Sequence, residues 1–363
     1  PMAEEKMLLD RQAGRWAMLG GCILGGGGGG AAALGEMLLE KLSTLPPLYL
    51  TPLDEIDPDA TILSVSLVGA PAAKEQFLRA EDMVRTVELF RLNNPDVKLG
   101  AIMTNENGYC ATVNGWVQAA ALGLPLVDAQ CNGRAHPTGV MGSMNLHRDP
   151  GYITTMTCAG GNSETGRYVE GVFRGTINRT AALVRAASVE AGGVVGVARN
   201  PVTAAYVRKN GAVGGISQAI RLGQVYEEGL KTSPEAAVHA AADFLHGTVL
   251  CRGTVEHCEL RGEGGFDVGF VRVAGCELTF WNEYMTLSDA SGIRAATFPD
   301  LIMTVDAATG RLLPSSDIRE GQDVYVLTTH NRNLNLSPTM YDKELLRQVE
   351  DIVHLPILEP LGL

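Results

Sequence analysis

The chain has 363 residues, with 41 acidic against 29 basic side chains, a formal charge of -12 and a pI near 5.1. That balance repels a phosphate backbone, and no Lys/Arg stripe interleaved with aromatics appears, so nucleic acid is excluded as an expected partner. With 45% hydrophobic and 19% charged residues and no apolar run near the ~20 residues a membrane helix needs, the sequence describes an ordered globular chain, long enough for two or three lobes.

Taken in order, the pattern predicts a helix from roughly Glu4 to Leu19, then six consecutive glycines, 25 to 30, and a helix-forming stretch from Ala31 to Leu42. "TILSVSLVGAP" reads as a strand ending in a turn, and a helix from Lys74 to Leu92 follows it. Next come a strand at "VKLGAIMT", a polar elbow "NENGY", a helix over Val113 to Leu122 and the strand "PLVDA". From about Thr165 the pattern turns helical, through "RYVEGVFRGTINRTAALVRAASVEAG", "VGGISQAIRLGQVYEEGLK" and "SPEAAVHAAADFLHG", where Ser233 can cap and Pro234 suits the first turn. Short apolar runs separated by turn residues then begin at Thr248. The expected fold is an α/β N-terminal domain, 1–165, with a mainly parallel sheet, followed by a C-terminal region, 166–363. That region is helical to about 247 and has a β-rich subdomain over about 248–335.

The densest chemistry lies in "DAQCNGRAHPTG", residues 128 to 139, at the end of a predicted buried strand. Strand ends gather at one edge of a parallel sheet, where ligands bind in open α/β folds. Asp128, Cys131 and His136, with Glu106 of the preceding elbow, are therefore the candidate catalytic groups. A neighbouring cation or imidazolium lowers a thiol pKa, and the thiolate is the nucleophile, so Cys131 is better equipped than the other six cysteines. Arg134, Asn105 and Asn132 are candidate substrate ligands. Gly27, Gly28 and Gly29 are also candidates, as a loop presenting backbone N–H groups to an anion at a helix N-terminus. Ser163 and Asn282 are candidates for further walls of the site, and Glu283 beside Asn282 could reach a site between domains.

Seven scattered cysteines with no C-x-x-C pair fit reduced thiols, and the acidic start "PMAEEKMLLD" lacks a secretory pattern, so a cytoplasmic protein is expected. No His pair has zinc-binding spacing, yet Asp128 and His136 could hold a divalent metal such as zinc. A small-molecule substrate is the expected partner, and self-association into a homo-oligomer is expected of so apolar a chain.

The pieces "LGGCILGGGGGG", "VSLVGAP", "NENG", "GLPLVDAQCNGRAHP", "FWNEYMTLSD" and "PDLIMTVDAATGRLLP", in this order, resemble the S-methyl-thiohydantoin desulfurase family from the glycine loop almost to the C-terminus. The resemblance implies a bacterial protein with an N-terminal α/β domain and a β-containing C-terminal part. It also implies loss of sulfur from a thiohydantoin ring, a step in breaking down thiol-imidazole compounds such as ergothioneine. Many relatives have Met-Gly and Ala-Phe-Pro where this chain has Cys131-Asn132-Gly133 and Ala135-His136-Pro137. The expected activity is hydrolytic desulfuration of a carboxylate-bearing cyclic thiourea, with Cys131 adding to the ring carbon, His136 activating water, and Arg134 or the glycine loop holding the carboxylate. In a variant of this mechanism, a metal-bound water is the nucleophile. The alternatives are a non-catalytic ligand-binding or regulatory partner of a hydantoinase-type enzyme, and an amidohydrolase opening a lactam or hydantoin ring.

Overall fold

Two eight-stranded sheets organise the molecule, one mixed and one antiparallel. The computed structural model describes residues 6–28, 31–69, 73–264 and 266–363. Helix α1 (Arg11–Leu24) begins where Asp10 accepts a hydrogen bond from Ala13 N, so it starts and ends later than the sequence predicts. Helix α2 (Ala32–Leu42) and the short strand β1 (Leu50–Thr51) follow. Strand β2 (Thr61–Gly69) sends Leu63 and Val65 to one side, against α1 and α3 (Ala80–Asn93), and Ile62 and Val68 to the other, as a two-residue period requires. Strand β3 (Leu99–Thr104), helix α4 (Trp116–Leu122) and strand β4 (Leu126–Gln130) complete a parallel half in which β1, β4, β3 and β2 are neighbours.

After Thr165 the helical expectation fails over "RYVEGVFRG", which forms a strand, and holds in the stretches 177–190, 215–230 and 234–244. Strands β5 (Thr154–Gly160), β6 (Val169–Gly175) and β7 (Val194–Thr203) extend the first sheet by antiparallel pairing, with α5 (Ile177–Glu190) packed across them. "YVEGVFRG" misleads because β6 is the sheet's edge strand. Its side chains are only half-buried, so the alternation that marks a strand is weak. Helix α6 (Ala204–Asn210) and strand β8 (Ala212–Val213), which pairs antiparallel with β4, lead to α7 (Gly215–Leu230) and α8 (Pro234–Phe244). Ser233 caps α8 as expected, accepting from Ala236 N at 3.0 Å. Helices α1 and α7 cross at glycines. A Cβ on Gly20 would stand 1.8 Å from Ala219 O, and one on Gly223 would stand 1.9 Å from Trp16 O.

The second sheet is antiparallel throughout. It comprises β9 (Thr248–Glu263), β10 (Phe266–Val273), β11 (Cys276–Trp281), β12 (Glu283–Ser288), β13 (Arg294–Thr297), β14 (Leu301–Asp306), β15 (Leu312–Leu313) and β16 (Asp323–Thr329). One core joins α7 and α8 to β14 and β16 through Tyr226, Val238, Met303 and Leu327. A second packs α9 (Lys343–Val353) on Trp281, Met285 and Phe298. The chain thus has an α/β N-terminal domain with a partly parallel mixed sheet, helices, and a β-rich C-terminal sheet. Among the described residues no helix is long and apolar enough to cross a membrane.

Candidate active site

The parallel half of the first sheet brings the ends of β3 and β4 to one edge, and the segments beyond them remain paired. Cys131 N donates to Thr104 O at 3.3 Å and Asn132 N to Asn105 O at 3.0 Å. That pairing carries His136 to Glu106. His136 N donates to Glu106 Oε2 at 3.2 Å, and His136 Nε2 lies 3.4 Å from the same oxygen. His136 Nδ1 is 2.8 Å from the carbonyl of Thr138, which can only accept, so Nδ1 carries the proton and Nε2 presents its lone pair. That buried Nε2 has no hydrogen-bond partner. Burial pushes the imidazole pKa down to about 4, so His136 is neutral at pH 7. Glu106 keeps 21% of its side chain accessible. Desolvation raises its carboxyl to about 8, against the opposing pull of the His136 N–H and the charges of Arg199 and Arg134.

A second carboxyl arrives from the other sheet. Asn282 adopts a positive φ of 55°, which Asn tolerates, between β11 and β12. Its Oδ1 accepts from Asp267 N at 2.9 Å, so the Asn282 side chain closes this kink instead of forming a wall of the site. The kink aims Glu283 inward, where it is 4% exposed and its Oε2 has no partner. Desolvation first, and then the charge of Glu106, push Glu283 up to about 8. The sequence offers one clue to it: Glu283 is the one charged residue of "FWNEYMTL".

The glycine loop packs closely against Arg134, Tyr284 and Glu283. A Cβ on Gly26 would lie 2.7 Å from Arg134 Nη2, one on Gly27 2.6 Å from Tyr284 Cδ2, and one on Gly28 2.3 Å from Glu283 Oε1. Gly26 O accepts from Tyr284 N at 2.8 Å and Gly27 O from Ser315 N at 2.9 Å. Gly27 and Gly28 thus follow the C-terminus of α1 and approach Tyr284 and Glu283 of the second sheet closely. Gly29 lies outside the described residues.

Arg134 is fully buried at the same seam, stacked 4.6 Å from the Phe298 ring centroid. Its Nε donates to Ala135 O, and its Nη1 donates to Pro299 O at 2.9 Å and Asp300 O at 2.6 Å. Only Nη2 is left without a partner. Arg134 is expected to hold a substrate carboxylate, but a two-pronged hold needs two free N–H groups on one edge, which Arg134 does not have.

Four further expectations are corrected. Cys131 has 1% exposure and packs with Met103, Val127, Ala129 and Cys158, its Sγ 3.1 Å from Ser64 Oγ. Burial pushes the thiol pKa up to about 11, the reverse of what a thiolate nucleophile needs. Asp128 caps α7 instead of facing His136. Its Oδ1 accepts from Ile216 N at 3.1 Å and Ser217 N at 3.0 Å, and its Oδ2 from Ser217 Oγ at 2.5 Å. A metal shared by Asp128 and His136 is therefore not supported, and among the described residues no three His, Cys, Asp or Glu side chains are grouped to hold a metal ion. Ser163 is exposed in the turn beyond β5. Asn105, in contrast, is buried next to His136: both would contact a Cβ on Gly142, Asn105 Oδ1 at 3.1 Å and His136 Nε2 at 2.9 Å. Asn132 is buried with its Oδ1 accepting from Ser337 N and its Nδ2 without a partner.

The geometry defines a two-domain α/β protein whose two carboxyls with raised pKa, a neutral imidazole and a guanidinium meet at the seam between the sheets. The chain belongs to the S-Me-THD-like family, matching the family's N-terminal domain over residues 13–168 and its C-terminal domain over residues 176–340. A crystal structure of a protein from Chromobacterium violaceum has the same fold, with a TM-score of 0.74, 22% identity and 98% coverage of each chain. No curated protein matches.

Proposed function

We propose that the protein hydrolyses the bond between sulfur and the ring carbon of an S-methylated thiohydantoin, releasing methanethiol and a hydantoin, by acid–base chemistry without a covalent intermediate. The observation that carries this reading is the pair Glu106 and Glu283, both raised to about 8 and coupled so that the charge of one opposes ionisation of the other. Such a pair titrates as a unit, and its first proton leaves near the working pH. Glu106 ionises first, because Arg199, Arg134 and the His136 N–H favour its charged form. Glu283 then stays protonated, giving one base and one acid that feel each other's charge.

In the forward step Glu106 takes a proton from water, aided by the free lone pair of His136 Nε2, and the water oxygen adds to the carbon bearing sulfur. Glu283 gives its proton to the adjacent ring nitrogen. On collapse the carbon–sulfur bond breaks, the new hydroxyl returns its proton to Glu283, and the departing methanethiolate takes the proton held by Glu106. Water and substrate become hydantoin and methanethiol, and both carboxyls are restored. The family name supports the substrate ring. The low pKa of His136 supports its role in orienting water over one as the principal base.

The test is thiol release from a panel of S-methyl-thiohydantoins and thiohydantoins, read with a thiol-reactive dye alongside chromatography of the ring product. One thiol per hydantoin is expected. Saturable binding with no thiol would favour a non-catalytic partner, and ring opening with sulfur retained would favour an amidohydrolase.

A further inference from the structure

On β7, Val195 and Val197 point into the core that holds Ile62, Val68 and Cys131, and the two-residue period puts Arg199 next on that face. In the register of β2 and β7, Arg199 lies opposite Ser64, the partner of the Cys131 thiol. Arg199 is 6% exposed. A guanidinium carries five N–H donors, yet among the described residues the Arg199 guanidinium makes no hydrogen bond and no ion pair, its backbone alone being paired, in the sheet. Arg134, which is fully buried, has three carbonyls as partners.

The surroundings of Arg199 are short of negative charge. Its electrostatic neighbours are Glu106, Cys131 and Arg185, of which the last repels it. Two of its neighbours belong to the site: Glu106 directly, and the turn after His136, where a Cβ on Gly139 would stand 3.6 Å from Arg199 Nη1. Other buried polar atoms near this face also lack partners. They are Ser66 Oγ, on the same face of β2 as Ser64, Thr138 Oγ1 beside Gly139, and His136 Nε2. A largely buried guanidinium that keeps only a little access to water and has nothing paired to it is poorly compensated, and a ligand reaching it can supply the missing acceptors.

We infer that Arg199 is the anchor for a carboxylate on the substrate's side chain, holding it by a two-pronged hydrogen bond with help from Ser66 and Thr138, so that the ring is presented to Glu106. This rests on the proposed ring chemistry only for the orientation of the ligand. The fork geometry of a guanidinium with two free N–H edges matches a planar carboxylate.

The test uses the full-length protein, with binding read by thermal shift and calorimetry. The probes are hydantoin-5-acetate, its uncharged primary amide, and sodium phosphate at equal ionic strength. Wild type should bind the carboxylate about 10- to 100-fold more tightly than the amide, the range of a lost charge-assisted hydrogen bond. Arg199→Met should abolish that preference and leave amide binding unchanged, Arg199→Lys should restore part of it, and ligand-free Arg199→Met should melt no lower than wild type. The inference is overturned if wild type binds carboxylate and amide equally, if phosphate alone binds, or if Arg199→Met melts lower while its preference persists. Binding discrimination without thiol release would sink the desulfurase reading and leave the anchor standing. Thiol release without discrimination would do the reverse.

Discussion

Cys131 and Glu106 lie just beyond the ends of neighbouring strands, yet the structure gives them opposite fates. The thiol lies on the core-facing side of the sheet among Met103, Val127 and Ala129, and burial raises its pKa to about 11. Glu106 turns to the seam between the two sheets, keeps a fifth of its side chain accessible, and titrates near 8 beside Glu283. Nucleophilic residue type and position at a strand end are therefore insufficient. What packs around each side chain, apolar neighbours or polar groups with accessible space, decides whether it meets substrate or hydrocarbon.

Three substitutions and one titration would break or sharpen this contrast. Glu283→Gln removes the acid, and kcat should fall about 100- to 1,000-fold while the thiol of Cys131 is untouched; an unchanged kcat would remove Glu283 from the chemistry. Arg134→Met strips hydrogen bonds from the carbonyls of Pro299 and Asp300 at the seam, and urea unfolding should show a loss of about 2 kcal/mol. Gly28→Ala sets a methyl 2.3 Å from Glu283 Oε1. It should displace that carboxyl and lower kcat about 10-fold, one 1.4 kcal/mol step in barrier, with far-ultraviolet circular dichroism preserved.

The titration concerns stability. Glu106 and Glu283 have folded pKa values raised above their unfolded ones, so the native state binds more protons between about 4.5 and 8. Stability is then lost as pH rises through that window. His136, lowered from 6.5 to about 4, acts in the opposite sense, costing stability as pH falls below 6.5. The melting temperature of Glu283→Gln should drop less than that of wild type between pH 6 and pH 9.

Much of this was legible in local sequence. The alternation of apolar runs in residues 61 to 130 gave β2, β3 and β4, and the strand-end rule located Glu106 and His136. Glu283 was legible as an acid in a predicted strand that could reach a site between domains, but Arg199 was harder to read because it is defined by what it faces across the fold. Arg199 lies within "VGVARNPVT", which reads as an ordinary buried run, and its missing partners become visible only when β2 and β7 are paired. Asp128 misled for the same reason. Its helix-capping partners, Ile216 and Ser217, lie 88 and 89 residues away.

The most direct measurement of the central claim compares steady-state thiol release by Glu106→Gln and Cys131→Ala under one set of conditions. The account predicts that Cys131→Ala stays within about threefold of wild type, while Glu106→Gln loses about 1,000-fold or more, the scale set by removing a general base. An inactive Cys131→Ala that remains folded, beside an active Glu106→Gln, would contradict it.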